Sequence, residues 1–172
     1  MELEQDLNDI INPLIKSLIF KKTIAEADLV TVLNITIQKL LATVNAQAIT
    51  LFLLGKDDKI HFSYVYYSPA LYAGNKPLEE KFRQKTEELK KLTLEKGVGI
   101  VGKVMAATES YLSNDVSKDP NFFGGTDEQT GFVTKTMITV PLVADKSIGA
   151  IQVLNRVAGD GTITAFSDDD RY

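Results

Sequence analysis

The chain has no cysteine and a single histidine. Without a thiol it cannot form a disulfide, attach a prosthetic group through a thioether, use a thiolate nucleophile, or hold zinc or an iron–sulfur cluster by sulfur ligands. One histidine cannot build a multi-histidine metal site, and His61, set between Ile60 and Phe62, is expected to be an ordinary strand residue. No apolar run reaches the roughly 18 residues needed to cross a bilayer. The N-terminus lacks the basic start, apolar core and small-residue cleavage site of an export signal, so the expected location is cytoplasmic. Basic clusters interleaved with aromatics are missing, and the net charge is −4, which argues against a nucleic-acid surface. Serine-nucleophile, H-E-x-x-H, P-loop and kinase motifs are also absent, and the expectation is a domain that is not itself an enzyme.

What is present is ordinary in amount and informative in order. At 172 residues, 44% apolar and 24% charged, the chain can bury one mixed helix-and-sheet core with some extension. Leu3, Leu7, Ile10, Leu14 and Leu18 recur at helical spacing, interrupted by Pro13. That stripe either packs on its own domain or forms a seam between two copies. A second helix is expected over 24–44 with Leu29, Val32, Leu33, Ile37, Leu40 and Leu41 inward. Strands follow at 48–54 and 60–67, joined by a turn at 55–59. Pro77 opens a charged helix to about Lys91, polar nearly all round, which is expected to be a solvated face or a lid.

A short strand at 92–96 leads to Gly97-Val98-Gly99-Ile100-Val101-Gly102 and a helix ending near Thr108. The G-x-G-x-x-G spacing lacks the strand-helix-strand unit and the acidic residue of a dinucleotide site, so the glycines are expected to let the helix start pack tightly. A strand at 111–114 precedes about twenty residues, 115–134, without strand patterning. A loop that long usually covers something. Asp119-Pro120 starts a turn, Phe122 and Phe123 supply apolar plugs, Gly124-Gly125 a hinge, and 126–130 a short helix ending at Gly131. Two strands, 137–143 and 148–154, then fold back on each other around 145–147. Gly149 sits where a packed side chain is expected, which marks close approach of a backbone or a ligand.

Three blocks in this order, Gly97 to Val104, Asn114-Asp115-Val116-Ser117-Lys118-Asp119-Pro120-Asn121-Phe122, and the hairpin ending in Asn155-Arg156, resemble a GAF domain. The resemblance covers roughly 25–172. It implies an α+β fold of GAF/PAS type: a central antiparallel sheet of five to six strands, N- and C-terminal helices on one face, helices and a lid loop on the other. The expected domains are a linker or dimerisation helix over 1–22 and a single domain over 23–172, truncated at the start of its C-terminal linker helix. Cyclic-nucleotide-binding members carry Asn-Lys, then Phe, then Asp-Glu. Asn155, Arg156, Phe166 and Asp170 match four of these positions, with Arg for Lys, and Arg171 stands in place of Glu. The resemblance implies that Arg156 and Asp170 form a structural ion pair. Lack of cysteine removes the bilin-linked photoreceptors and the cysteine-dependent methionine sulfoxide reductases of the family.

The function so implied is a regulatory sensor domain of a larger, bacterial-type signalling protein. A small ligand would bind between sheet and lid, and the change would pass through the flanking helices to an effector domain in the same chain. A homodimer is expected, with a cyclic nucleotide or another metabolite as ligand, no covalent cofactor and no metal. The alternative is a ligand-free homodimerisation module. The candidate ligand-binding residues are Asn114 and Asp115 at the strand end, Thr130 and Thr134 on the lid and Thr139 on the strand, with Phe122, Phe123 and Met137 as walls. Against this stands a pocketless domain in which Asp115 and Asp119 cap turns and the phenylalanines fill the core.

Overall fold

The computed structural model describes residues 26–122 and 124–171. The expected helix over 3–18 and the boundary at 22/23 lie outside the described residues. Two compact units divide the chain after Leu40. Of the first, the described part is helical, the beginning of α1 (Glu26–Val44). Within α1, Ile37 and Leu41 are buried, but Leu40, expected inward, is 36% exposed. It lies one step round the helix from Leu41, which takes the inward place. The side chains of Leu29, Val32 and Leu33 lie outside those described.

The second unit is built on a six-stranded antiparallel sheet, as expected from the sequence. Its strands are β1 (Ala46–Leu54), β2 (Ile60–Tyr67), β3 (Thr93–Leu94), β4 (Tyr111–Ser113), β5 (Met137–Val143) and β6 (Ser147–Arg156). They lie in the order β3-β2-β1-β6-β5-β4. The central β1 is Ala-Gln-Ala-Ile-Thr-Leu-Phe-Leu-Leu and is buried along most of its length, which suits a nearly continuous apolar run flanked on both sides. β1 and β2 are joined by the expected turn, closed by the Gly55 N–H donating to Lys59 O at 2.8 Å.

Their register is not regular. Leu51 faces Tyr64 and Phe52 faces Phe62, so Ser63 is left without a partner as a bulge. The extra residue shifts the side-chain alternation, and Phe62, Val65 and Tyr67 all join the core cluster. The β5–β6 hairpin pairs Met137 with Leu154 and Leu142 with Gly149. Gly149 also faces Leu53 of β1. A Cβ there would come within 2.2 Å of Phe52 O, so the glycine is required by close backbone approach rather than by a ligand. Pro141 sits in β5 past the end of β4, where that side of the strand has no neighbour among the described residues and the missing N–H breaks no second ladder.

The helices of the second unit are α2 (Lys76–Leu89), α3 (Gly99–Ala107) and α4 (Gly125–Thr130). In α2, Asn75 caps the start, its side chain accepting from Leu78 N at 3.1 Å, and Pro77 falls in the first turn. The expected solvated face is there, but the helix is less polar all round than its charges suggest. Phe82 and Leu89 are buried, and the Phe82 ring lies 4.6 Å from Tyr67 and 6.4 Å from Phe132, centroid to centroid. Leu78, partly buried against the same core, joins Phe82 and Leu89 to seat a helix whose outer side is laced by exposed pairs such as Glu80–Arg83 at 2.6 Å. In α3, a Cβ on Gly102 would lie 2.8 Å from Gly97 N, so this glycine serves close packing against the preceding turn rather than against the sheet.

At the C-terminal end, Asp168–Arg171 forms one turn of 3-10 helix. Asp170 Oδ2 accepts from Ser167 N at 2.6 Å and from Ser167 Oγ at 2.9 Å, so its carboxylate holds the residue that opens the turn. Arg156 Nε lies 3.5 Å from Asp170 Oδ2.

Candidate functional site

Between the sheet and the segment 119–134 lies a cavity of about 420 Å³. Its floor comes from alternate residues of the central strands: Ala48, Thr50 and Phe52 of β1, Gln152 and Leu154 of β6, and Met137 of β5. The bulge at Ser63 brings Phe62 and Tyr67 of β2 to the same surface. The start of α3 from Val98 to Val101, with Lys103, forms one wall. Asn121, Phe122, Thr126, Asp127, Thr130, Phe132 and Thr134 form the cover. The walls are mostly aliphatic and aromatic, with a few polar groups set among them, the usual make-up of a small-molecule site.

The polar end is built on α4. Asp127 Oδ2 accepts from Thr134 N at 2.6 Å and Oδ1 from Thr134 Oγ1 at 2.8 Å, so one carboxylate ties the helix to the strand approach that follows it. Burial pushes the Asp127 carboxyl above the ordinary range, although both Thr134 hydrogen bonds pull it down. Thr130 donates to Thr126 O at 2.9 Å and accepts from Phe132 N at 3.1 Å, which closes the helix over Gly131. Tyr67 stands beside them. Burial pushes its phenol up to about 12, the Thr130 hydrogen bond acts in the opposite direction, and the Asp127 charge adds a smaller rise.

The approach to β5 is fixed by Asn155. Its side chain is wholly buried and its φ is 57°, a left-handed conformation that asparagine tolerates better than most residues. Oδ1 accepts from Lys135 N at 2.7 Å and Thr136 N at 3.2 Å, while Nδ2 donates to Gln47 Oε1 at 2.9 Å and Val133 O at 2.8 Å. The residue that ends the hairpin therefore holds the base of the lid.

Of the residues expected at a site, Phe122, Thr130, Thr134 and Met137 line this cavity together. Three others do not. Asn114 is a backbone clamp: its Nδ2 donates to Phe166 O at 3.0 Å and its Oδ1 accepts from Phe166 N at 2.8 Å. Asp115 is bonded to Ser117 Oγ at 2.5 Å and Lys118 Nζ at 2.6 Å and serves the turn; with Asn114 and Thr134 it borders a separate cavity of about 490 Å³. Thr139 is completely buried beneath the floor and accepts from Gln152 Nε2 at 3.0 Å, so it positions a lining residue without lining the cavity. Phe123 lies outside the described residues. Asp127, Tyr67, Lys103 and Asn121 are the additions. Asp127 had a signal, since it precedes Thr130 by three residues on one helix and so shares its face. Tyr67 had none, because its facing depends on the bulge.

Residues 28–172 match the GAF domain family. The chain is 36% identical over 62 residues to the cone cGMP-specific 3',5'-cyclic phosphodiesterase subunit alpha' of Mus musculus, a match covering 36% of this chain and 7% of that protein. It is 30% identical over 92 residues to the Caenorhabditis elegans protein named "Probable 3',5'-cyclic phosphodiesterase pde-5", covering 53% of this chain and 12% of that one. Similar solved structures include the GAF domain of a phosphoenolpyruvate-protein phosphotransferase from Coxiella burnetii, with a TM-score of 0.59 and 15% identity, over 82% of this chain and 72% of that one. Another is a free methionine-R-sulfoxide reductase from Neisseria meningitidis in complex with its substrate, with a TM-score of 0.59 and 17% identity, over 85% of this chain and 71% of that one. At these identities the structural likeness is one of fold.

Proposed function

The chain belongs to the GAF domain family, and on that premise we propose that it is the regulatory, ligand-binding module of a longer cytoplasmic signalling protein. Residues 23–172 form the sensor and 1–22 a linker or dimerisation segment. The ligand is a cyclic purine nucleotide held between the sheet and the cover. The observation that carries this reading is the cavity itself: about 420 Å³, aromatic walls, and a hydrogen-bonding end at Asp127, Thr130, Thr134 and Tyr67. That size and chemistry suit a heteroaromatic molecule with polar edges. The phosphodiesterase names of the curated relatives favour a cyclic nucleotide over other metabolites, while the short share of those proteins matched leaves the output domain a matter of proposal.

Among the described residues no group of three histidine, cysteine, aspartate or glutamate side chains could hold a metal ion, and no helix is long and apolar enough to cross a membrane. The module does its work by binding. To signal, the ligand must bind one arrangement of cover and flanking helices more tightly than another, since equal affinity shifts nothing. Calorimetric titration with cyclic GMP, cyclic AMP and cyclic dinucleotides tests the assignment. Saturable heat with one of them, abolished by Asp127→Ala, is the expected result, and no heat with any of them rejects the cyclic nucleotide.

A further inference from the structure

The cavity is lined by two formally charged side chains among the described residues, Lys103 and Asp127, and they are matched very differently. Both carboxylate oxygens of Asp127 are taken by Thr134. Lys103, in the second turn of α3, instead donates to the neutral amide oxygen Oδ1 of Asn121. The nearest carboxylate in that network is turned elsewhere: Asp119 accepts from Tyr111 Oη at 2.9 Å and from Asn121 N at 2.9 Å, and Asn121 Nδ2 donates to Tyr111 Oη at 3.1 Å. Asn121 is thereby fixed as a neutral acceptor. An ammonium group has three donors, and the contact with Asn121 uses one.

We propose that Lys103 selects an anionic ligand, taking the ligand's negatively charged group on a free donor while the aromatic body lies among Phe52, Phe62, Phe132 and Met137. The inference rests on the cavity being the ligand site and adds the residue that recognises the ligand's negative charge. A chain of net charge −4 repels anions in general, so a local cation is what admits one. Lys103 is exposed and water can meet its other donors, so an anion gains by adding opposite-charge attraction, which neither water nor the neutral Asn121 amide supplies. Asp127 disfavours a negative group at its own end. The two charges therefore orient the ligand as well as choose it.

The test compares two fluorescent probes with similar aromatic bodies, anionic 8-anilinonaphthalene-1-sulfonate and uncharged N-phenyl-1-naphthylamine, on the 172-residue chain. Wild type, Lys103→Met and Lys103→Arg are titrated with each, and mutual displacement establishes a shared site. The expected result is a loss of about tenfold in sulfonate affinity for Lys103→Met. Lys103→Arg keeps the sulfonate, and all three proteins bind the uncharged probe alike. Sulfonate binding unchanged in Lys103→Met, or an equal loss of both probes, overturns the proposal and leaves the cavity reading intact. Failure of both probes to bind wild type overturns the two together.

Discussion

Asn155 concentrates more of the domain's specification than any other described polar residue. Its amide makes four hydrogen bonds to groups 19 to 108 positions away in the chain, in a side chain with no exposure. Replacing it by alanine strands the N–H groups of Lys135 and Thr136 and the carbonyl of Val133. Buried groups left in this way cost about 1–3 kcal/mol each, partly relieved by water. We expect Asn155→Ala to lower unfolding free energy by roughly 2–4 kcal/mol in urea titration, with the amides of residues 133–136 losing hydrogen-exchange protection first. The polar Asn155-Arg156 pair at the hairpin exit was visible in the sequence as a motif. Its job was not, because none of its side-chain partners is local. Asn114 teaches the same lesson in reverse: a polar residue at a strand end resembles a ligand contact until its partner, the Phe166 backbone, is known.

At the level of elements, the lid is the part whose behaviour should depend on pH. Burial raises the Asp127 carboxyl above the ordinary aspartate range, so the unfolded chain loses that proton more readily than the folded one. Between the two pKa values the native state binds more protons, and stability contributed by this group falls as pH rises. It is fullest below the unfolded value and lost as pH passes the folded one. Urea unfolding of wild type and Asp127→Asn across the acid range should differ in slope, with the falling component missing from the variant. An identical pH dependence would mean that Asp127 is not the source. Element positions were largely legible: β2 and β5 fall where their alternation and β-branched content place them. Facing was less so. The bulge at Ser63 reverses alternation within β2, and no local residue pattern announces it. The charged helix α2 misled for a different reason, since Leu78, Phe82 and Leu89 form only a narrow stripe among many charges, yet enough to fix it.

For the molecule as a whole, a ligand in the cavity would couple the cover to the sheet and stabilise both. A ligand that binds only the folded state at a hundredfold excess over its dissociation constant adds about 2.7 kcal/mol. Thermal unfolding with saturating cyclic GMP should therefore move upward as a single transition. A cover that melts separately, at an unchanged temperature, would place the ligand elsewhere. The borders of the sheet bear on a different property, its behaviour when crowded. Among the described residues, strands β3 and β4, of two and three residues, leave most of β2 and β5 without an outer neighbour. Both uncovered stretches are spoiled as templates, β2 by its unmatched Ser63 and β5 by Pro141. Main-chain recruitment of a further strand is thereby disfavoured on either side. At high local concentration, copies of the domain should meet through side chains and remain dissociable, rather than stack into cross-β filaments.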